Sequence, residues 1–158
     1  MRIYSFYHDD ADYGWRLKLL GYRCACIVST KAYHIVGATL GLGNPRSIYL
    51  IVRNNIWITA KNSSLAWFLL RFLLMLIEVL VSYFGHMLLI KKNGKAALLT
   101  LRGILDGLIN LRVAFNKKAN IMKFRKVKEK AINMLMNPLI DAYLIFPRKL
   151  RKAFGLKQ

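Results

Sequence analysis

Carboxylates are scarce in this chain, with 7 Asp and Glu against 26 Lys and Arg and a net charge of +19. So lopsided a balance points to an anionic partner. Cysteine is nearly absent too. Cys24 and Cys26 are the only two, and on a strand an i, i+2 pair directs both thiols to one face, a geometry that suits neither a disulfide nor a zinc site. They are expected to be small core residues in a reducing compartment. The opening residues are polar and aromatic and lack an apolar run, so no signal peptide is expected. The chain has no internal repeat and no low-complexity tract.

What is abundant is apolar. The 158 residues are 56% hydrophobic, with a mean hydropathy of +0.30. Soluble nucleic-acid-binding proteins are basic but polar, whereas basic and apolar together suggests a protein seated on an anionic membrane surface. Residues 1–90 hold nine basic and four acidic side chains, and residues 91–158 hold seventeen and three. The C-terminal part is therefore the electrostatic one. A membrane segment and a basic tail leave only about 60 residues for a globular fold, near the lower limit for a self-sufficient core.

Along the chain, Asp9 or Asp10 can cap a helix that runs to about Leu20, because a carboxylate there accepts free N–H groups and suits the positive end of the helix dipole. Tyr13, Leu17 and Leu20 make its expected apolar face, and Gly21 supplies a left-handed stop. Cys24-Ala25-Cys26-Ile27-Val28 reads as a buried strand and Ala32-Tyr33-His34-Ile35 as a second. After Gly37, Gly41, Gly43 and Pro45, helical periodicity resumes from Ser47 to Ala60.

Residues 65–90 span about 39 Å as an α-helix, enough to cross a hydrocarbon core of about 30 Å. Ser64, Arg71, Glu78, Ser82 and His86 fall within about 40° of one line on that helix. An ionised group at bilayer centre costs at least ~2.5 kcal/mol, so the stripe must face water, protein or headgroups. Placing the basic tail outside would oppose the positive-inside rule, which favours a monotopic or re-entrant arrangement, with a span that keeps the tail inside and the short N-terminal part outside as the competing orientation. Ala97, Leu101, Leu105, Leu108, Leu111 and Phe115 then repeat at helical spacing, with Arg102, Asp106 and Asn110 opposite. Lys123, Arg125, Lys126, Lys128 and Lys130 surround Ile121, Phe124 and Val127 ahead of Pro138 and Pro147, as in segments that lie on anionic membranes. Nucleic acid is an unlikely partner, because these charges alternate with an apolar face and not with exposed aromatic platforms.

Three aspartates opening a helix have two readings: capping with dipole complementarity, or a general base. A helix N-terminus depresses a carboxylate pKa and neighbouring carboxylates raise it, so a crowded trio can keep one member basic enough to take a hydroxyl proton.

The series Tyr7-His8-Asp9-Asp10-Ala11-Asp12, Trp15-Arg16, Leu20-Gly21-Tyr22-Arg23, Tyr33-His34-Ile35-Val36-Gly37-Ala38-Thr39, Tyr49 and Arg53-Asn54 resembles, in order, the C-terminal part of the catalytic domain of family 2 glycosyltransferases, especially rhamnosyltransferase-like members. The resemblance covers roughly residues 3–62 and continues loosely through the hydrophobic segment into Leu101-Arg102-Gly103-Ile104-Leu105-Asp106-Gly107. It implies an α/β fragment, the C-terminal portion of a GT-A-type domain (helix, short strands, helix), followed by a mainly α-helical membrane-associated region. The expected divisions are 1–62 for the catalytic portion, 63–92 for the hydrophobic helix and 93–158 for the basic tail.

The resemblance further implies a transferase that moves a sugar from a nucleotide-diphosphosugar donor to a glycan or lipid-linked acceptor. Asp10 matches the inverting base, and Asp9 occupies the position of its Glu neighbour, one methylene shorter. Asp12 and Arg16 match residues that orient the helix and hold the loop. His34 matches a histidine at the metal-diphosphate end; read from the residues, it is equally a packed strand histidine. Arg53 and Asn54 contact the diphosphate or cap local backbone. The family's donor half, with its strand-end Asp-x-Asp motif for Mg or Mn, precedes the matched region, and the one Asp-x-Asp here, Asp10-Ala11-Asp12, sits in the helix opening instead. The chain alone, associated with the cytoplasmic face of a membrane, is therefore expected to be inactive: a truncated or split gene product, a chain begun at an internal start, or one half of a transferase whose separate N-terminal half is another polypeptide. The competing expectation is a non-enzymatic basic protein that binds anionic lipid.

Overall fold

The computed structural model describes residues 7–25, 27–33, 35, 40, 44–128 and 130–132. Five α-helices appear among them: α1 (Asp9–Leu19), α2 (Pro45–Asn62), α3 (Leu65–Glu78), α4 (Gly94–Ile109) and α5 (Leu111–Lys123), with α3 continuing into a π-helical segment, Val79–Ile90.

The local causes are legible. Helix α1 ends in a Schellman motif: Gly21 takes φ 87°, the Tyr22 N–H donates to the Leu17 carbonyl and the Gly21 N–H to that of Lys18, so two terminal carbonyls are satisfied. Helix α2 opens with Asn44, whose side chain accepts from the Arg46 N–H, and with Pro45 in its first turn, where a missing N–H is harmless. Ser64 caps α3 by accepting from the Trp67 N–H.

Helix α2 is the central element. It packs most extensively against α4, then α5, and also meets α1 and α3. The α2–α4 seam is close because α4 turns small residues inward. Ala96, Ala97, Thr100, Gly103 and Gly107 are buried with Ile104. A β-carbon built at Gly103 would lie 2.8 Å from the Tyr49 carbonyl oxygen, and one at Gly107 only 2.6 Å from Ile56 Cδ1. Trp57 Nε1 donates to the Gly107 carbonyl, one of those the end of α4 leaves without an intrahelical partner. Around the seam, Trp15, Leu19, Val52, Ile56, Phe68, Met75 and Ala114 form one core, with Phe115 set edge-on to Phe68.

Several expectations are corrected. The α/β arrangement does not hold, since every regular element among the described residues is helical. The described residues of the segments expected as strands form no ladder, with Val28 92% and Tyr33 94% exposed. Short apolar runs become strands only when a neighbouring ladder takes up their N–H and C=O groups, and no described segment provides one. Cys24 is exposed and not a core residue. Cys26, His34 and everything beyond residue 132 lie outside the described residues.

On α1 the inward residues are Asp12, Trp15 and Leu19, while Tyr13 is exposed, so the expected apolar face is displaced. On α4, Leu105 and Leu108 point outward, because the tight approach to α2 admits only small side chains. Residues 124–128 leave the helix: the Lys126 and Val127 N–H groups both donate to the Leu19 carbonyl and fasten the chain to the end of α1.

Candidate functional site

The acidic opening of α1 divides into an inner and an outer half. Asp12 is 4% exposed. Its Oδ2 lies 2.6 Å from Lys61 Nζ and 3.2 Å from Arg16 Nε, and its Oδ1 accepts from Asn62 Nδ2 at 2.9 Å. This carboxylate joins α1 to the last turn of α2. Lys61 is equally buried; burial pushes its ammonium below the ordinary 10.5, against the hydrogen bond and charge of Asp12. Asp9 and Asp10 are exposed. Among the described residues, Asp10 Oδ1 accepts from the adjacent Ala11 N–H.

Neither outer aspartate is the cap. The capping position belongs to His8, which has φ 64° and no side-chain cap hydrogen bond. Tyr7 before it also has a positive φ, 63°. Two consecutive non-glycine residues in this region are costly and persist only when neighbours over-determine them. Here α2 does so: Asn54 Nδ2 donates to the Tyr7 carbonyl at 3.1 Å and the Tyr7 hydroxyl donates to Ser47 Oγ at 2.8 Å.

Arg53 and Asn54 serve that clamp. Asn54 is fully buried, and its Oδ1 accepts from Arg53 Nε and NH2. The Arg53 guanidinium stacks over Trp57 at 4.6 Å and Tyr49 at 5.3 Å. Tyr49 in turn donates to Asp106 Oδ2 at 2.8 Å. The polar ends of Asn54 are thus committed inside the protein, and Arg53 is half-buried beside it.

Two residues not expected at the site stand out. The His8 ring is pushed below its ordinary 6.5 by burial, against the raising effects of Asp10, a hydrogen bond with the Ile51 backbone and Asp9. A neutral imidazole therefore sits beside the outer carboxylates at pH 7. Lys61 is the other, and nothing in the sequence signals its pairing with a residue 49 positions away. His8 could have been found from its place directly before the acidic pair.

A divalent cation does not fit the described residues. No three His, Cys, Asp or Glu side chains among them come together, and both oxygens of Asp12 are engaged. His34, expected at the metal end, lies outside the described residues.

The outer surface carries a second feature. Leu65–Leu89 is long and apolar enough to cross a membrane, with a mean hydropathy of 2.2. Leu69, Leu70, Leu73, Leu74, Ile77 and Leu80 are all exposed. Arg71 faces protein instead, its guanidinium 5.1 Å from the centre of the Trp15 ring. The side chains of Ser82 and His86, also expected on the polar stripe, are not described.

Compared with known proteins, the chain matches no family, no curated protein and no solved structure.

Proposed function

We propose that this chain is the membrane-associated, acceptor-side portion of a glycosyltransferase that uses a nucleotide-diphosphosugar donor, and that it acts with a separate donor-binding polypeptide at the cytoplasmic face of a membrane. What supports this is the split among the three aspartates: Asp12 is taken up by Lys61 and Asn62, while Asp9 and Asp10 stay exposed without serving as the helix cap. The order of residues that resembles the family supplies the reaction class, although the short strands that the resemblance also implied are not found among the described residues.

In this reading the Asp10 carboxylate accepts the proton of an acceptor hydroxyl as that oxygen bonds to the anomeric carbon. The bond from that carbon to the diphosphate breaks and the nucleoside diphosphate leaves with its electron pair, inverting the configuration. Asp12 acts by holding α1 against α2, and Arg16 pairs with it within α1.

The test is transfer of radiolabelled sugar by membranes in which the chain is co-expressed with a donor-binding polypeptide. Asp10→Asn is expected to lower turnover by about 100-fold or more with unchanged thermal unfolding. Undiminished transfer removes Asp10 from the reaction. A second reading, a non-enzymatic basic protein on anionic lipid, is favoured by the exposed leucines of α3; absence of transfer with every partner, together with tight vesicle binding, would select it.

A further inference from the structure

A cleft of about 500 Å³ opens between the first turn of α2 and the outer face of α4. Pro45, Arg46 and Tyr49 line it from α2, and Lys95, Leu99 and Arg102 from α4. Three of these six side chains are cationic, and no carboxylate lines the cleft. Positions 95, 99 and 102 recur at i, i+4 and i+7, so one stripe of α4 presents both charges and the leucine between them. Arg46 and Lys95 are exposed and form no ion pair among the described residues. Arg102 reaches the nearest carboxylate, Asp106, only at 3.6 Å, and Asp106 also accepts from the Tyr49 hydroxyl.

The positive end of α2 points the same way, but its first donors are occupied: Asn44 takes the Arg46 N–H through its side chain and the Ser47 N–H through its carbonyl. The grip therefore comes from side chains. Two guanidinium forks and an ammonium converging from two helices match an anion with several oxygens, since arginine pairs with phosphate through parallel N–H bonds and lysine adds a point charge. Holding like charges together without a counter-anion is unfavourable, which a bound dianion reverses. The volume exceeds what a bare phosphate fills and falls in the range of small-molecule sites. Leu99 and Pro45 offer apolar contact to the rest of such a molecule.

We propose that this cleft binds the phosphate or diphosphate group of an organic phosphate ester. It shares no residue with the acidic opening of α1, so the proposal stands whether or not Asp10 takes part in sugar transfer. The ligand chemistry has two sources, a phospholipid headgroup and a soluble diphosphate. Exposed Leu98, Leu105 and Ile109 lie on the neighbouring stripe of α4 and would set the cleft at headgroup level if that face met lipid.

The experiment uses the full chain in phosphatidylcholine nanodiscs and titrates inorganic pyrophosphate by calorimetry; in parallel, the nanodiscs are prepared with phosphatidylglycerol and exchange of that lipid is followed by spin-label contact. The paired variant Arg46→Gln/Lys95→Gln is compared with Lys128→Gln/Lys130→Gln, which removes the same charge elsewhere. Saturable pyrophosphate binding that the first variant weakens by at least about tenfold and the second by less than about twofold assigns the cleft to a soluble diphosphate. The same contrast seen only with phosphatidylglycerol assigns it to lipid. Equal losses in the two variants, or saturable binding of neither probe, overturns the proposal.

Discussion

The two sides of α1 differ more than its eleven residues suggest. On the inner side, Asp12, Trp15 and Leu19 are buried, and Asp12 is held by three partners from its own helix and from α2. On the outer side, Asp9 and Asp10 face solvent beside a half-buried neutral His8. Identical carboxylates two or three positions apart thus have unlike surroundings. The helical repeat accounts for this: position 12 falls on the same stripe as 15 and 19, which faces α2, whereas 9 and 10 lie off that stripe and are exposed. Capping explains none of the outer pair, because His8 holds that position.

The largest expected effect is on stability and breaks the inner side. Asp12→Ala leaves Lys61 buried without its counter-charge and is expected to cost about 3–5 kcal/mol, read by denaturant unfolding of the detergent-solubilised protein. The double variant Asp12→Leu/Lys61→Met is expected to recover most of that loss, as apolar replacements of buried pairs often do. A loss below about 1 kcal/mol for Asp12→Ala would mean that the inner side is not held by this pair.

Next comes the seam that supports α2 itself. Gly107→Val drives a side chain into Ile56, where even a β-carbon lies at 2.6 Å, and is expected to destabilise by about 1–3 kcal/mol. Gly94→Ala meets nothing within 4 Å and is expected to be neutral or stabilising by up to about 1 kcal/mol. Similar results for both glycines would contradict a seam set by close approach.

The smallest effect concerns His8 and sharpens the outer side. Its folded pKa lies below 6.5, so as the pH falls the unfolded chain takes up the proton first. The stability from the neutral ring is present above pH 6.5 and is lost as the pH drops from there through the folded pKa. His8→Gln is expected to flatten the stability profile over that acid range, measured by thermal unfolding between pH 7 and 5. An unchanged slope would place the titrating group elsewhere.

Local signals were legible in the sequence. Gly21 marks the end of α1, the periodicity from Ser47 to Ala60 finds the body of α2 although its opening at Asn44-Pro45 reads as loop, and the leucine run of α3 reads as apolar and long. Each is decided by residues within a few positions of one another. What sequence could not give depends on distant partners. The inward turn of Asp12 needs Lys61 and Asn62, about 50 positions away. The outward turn of Leu105 needs the close approach of Gly103 and Gly107 to α2. Residues 24–28 carry the composition of a strand but have no described ladder to join, and apolar content alone does not supply one.

The two aspartates can be compared in one measurement: labelled-sugar transfer and thermal unfolding, recorded on the same membrane preparations of the chain with a donor-binding polypeptide, for Asp10→Asn and Asp12→Asn. The expected result is that Asp10→Asn keeps its unfolding temperature and loses about 100-fold in turnover, whereas Asp12→Asn unfolds at lower temperature. Full turnover in Asp10→Asn, or a drop in its unfolding temperature as large as that of Asp12→Asn, would contradict the division of labour between the outer and inner carboxylates.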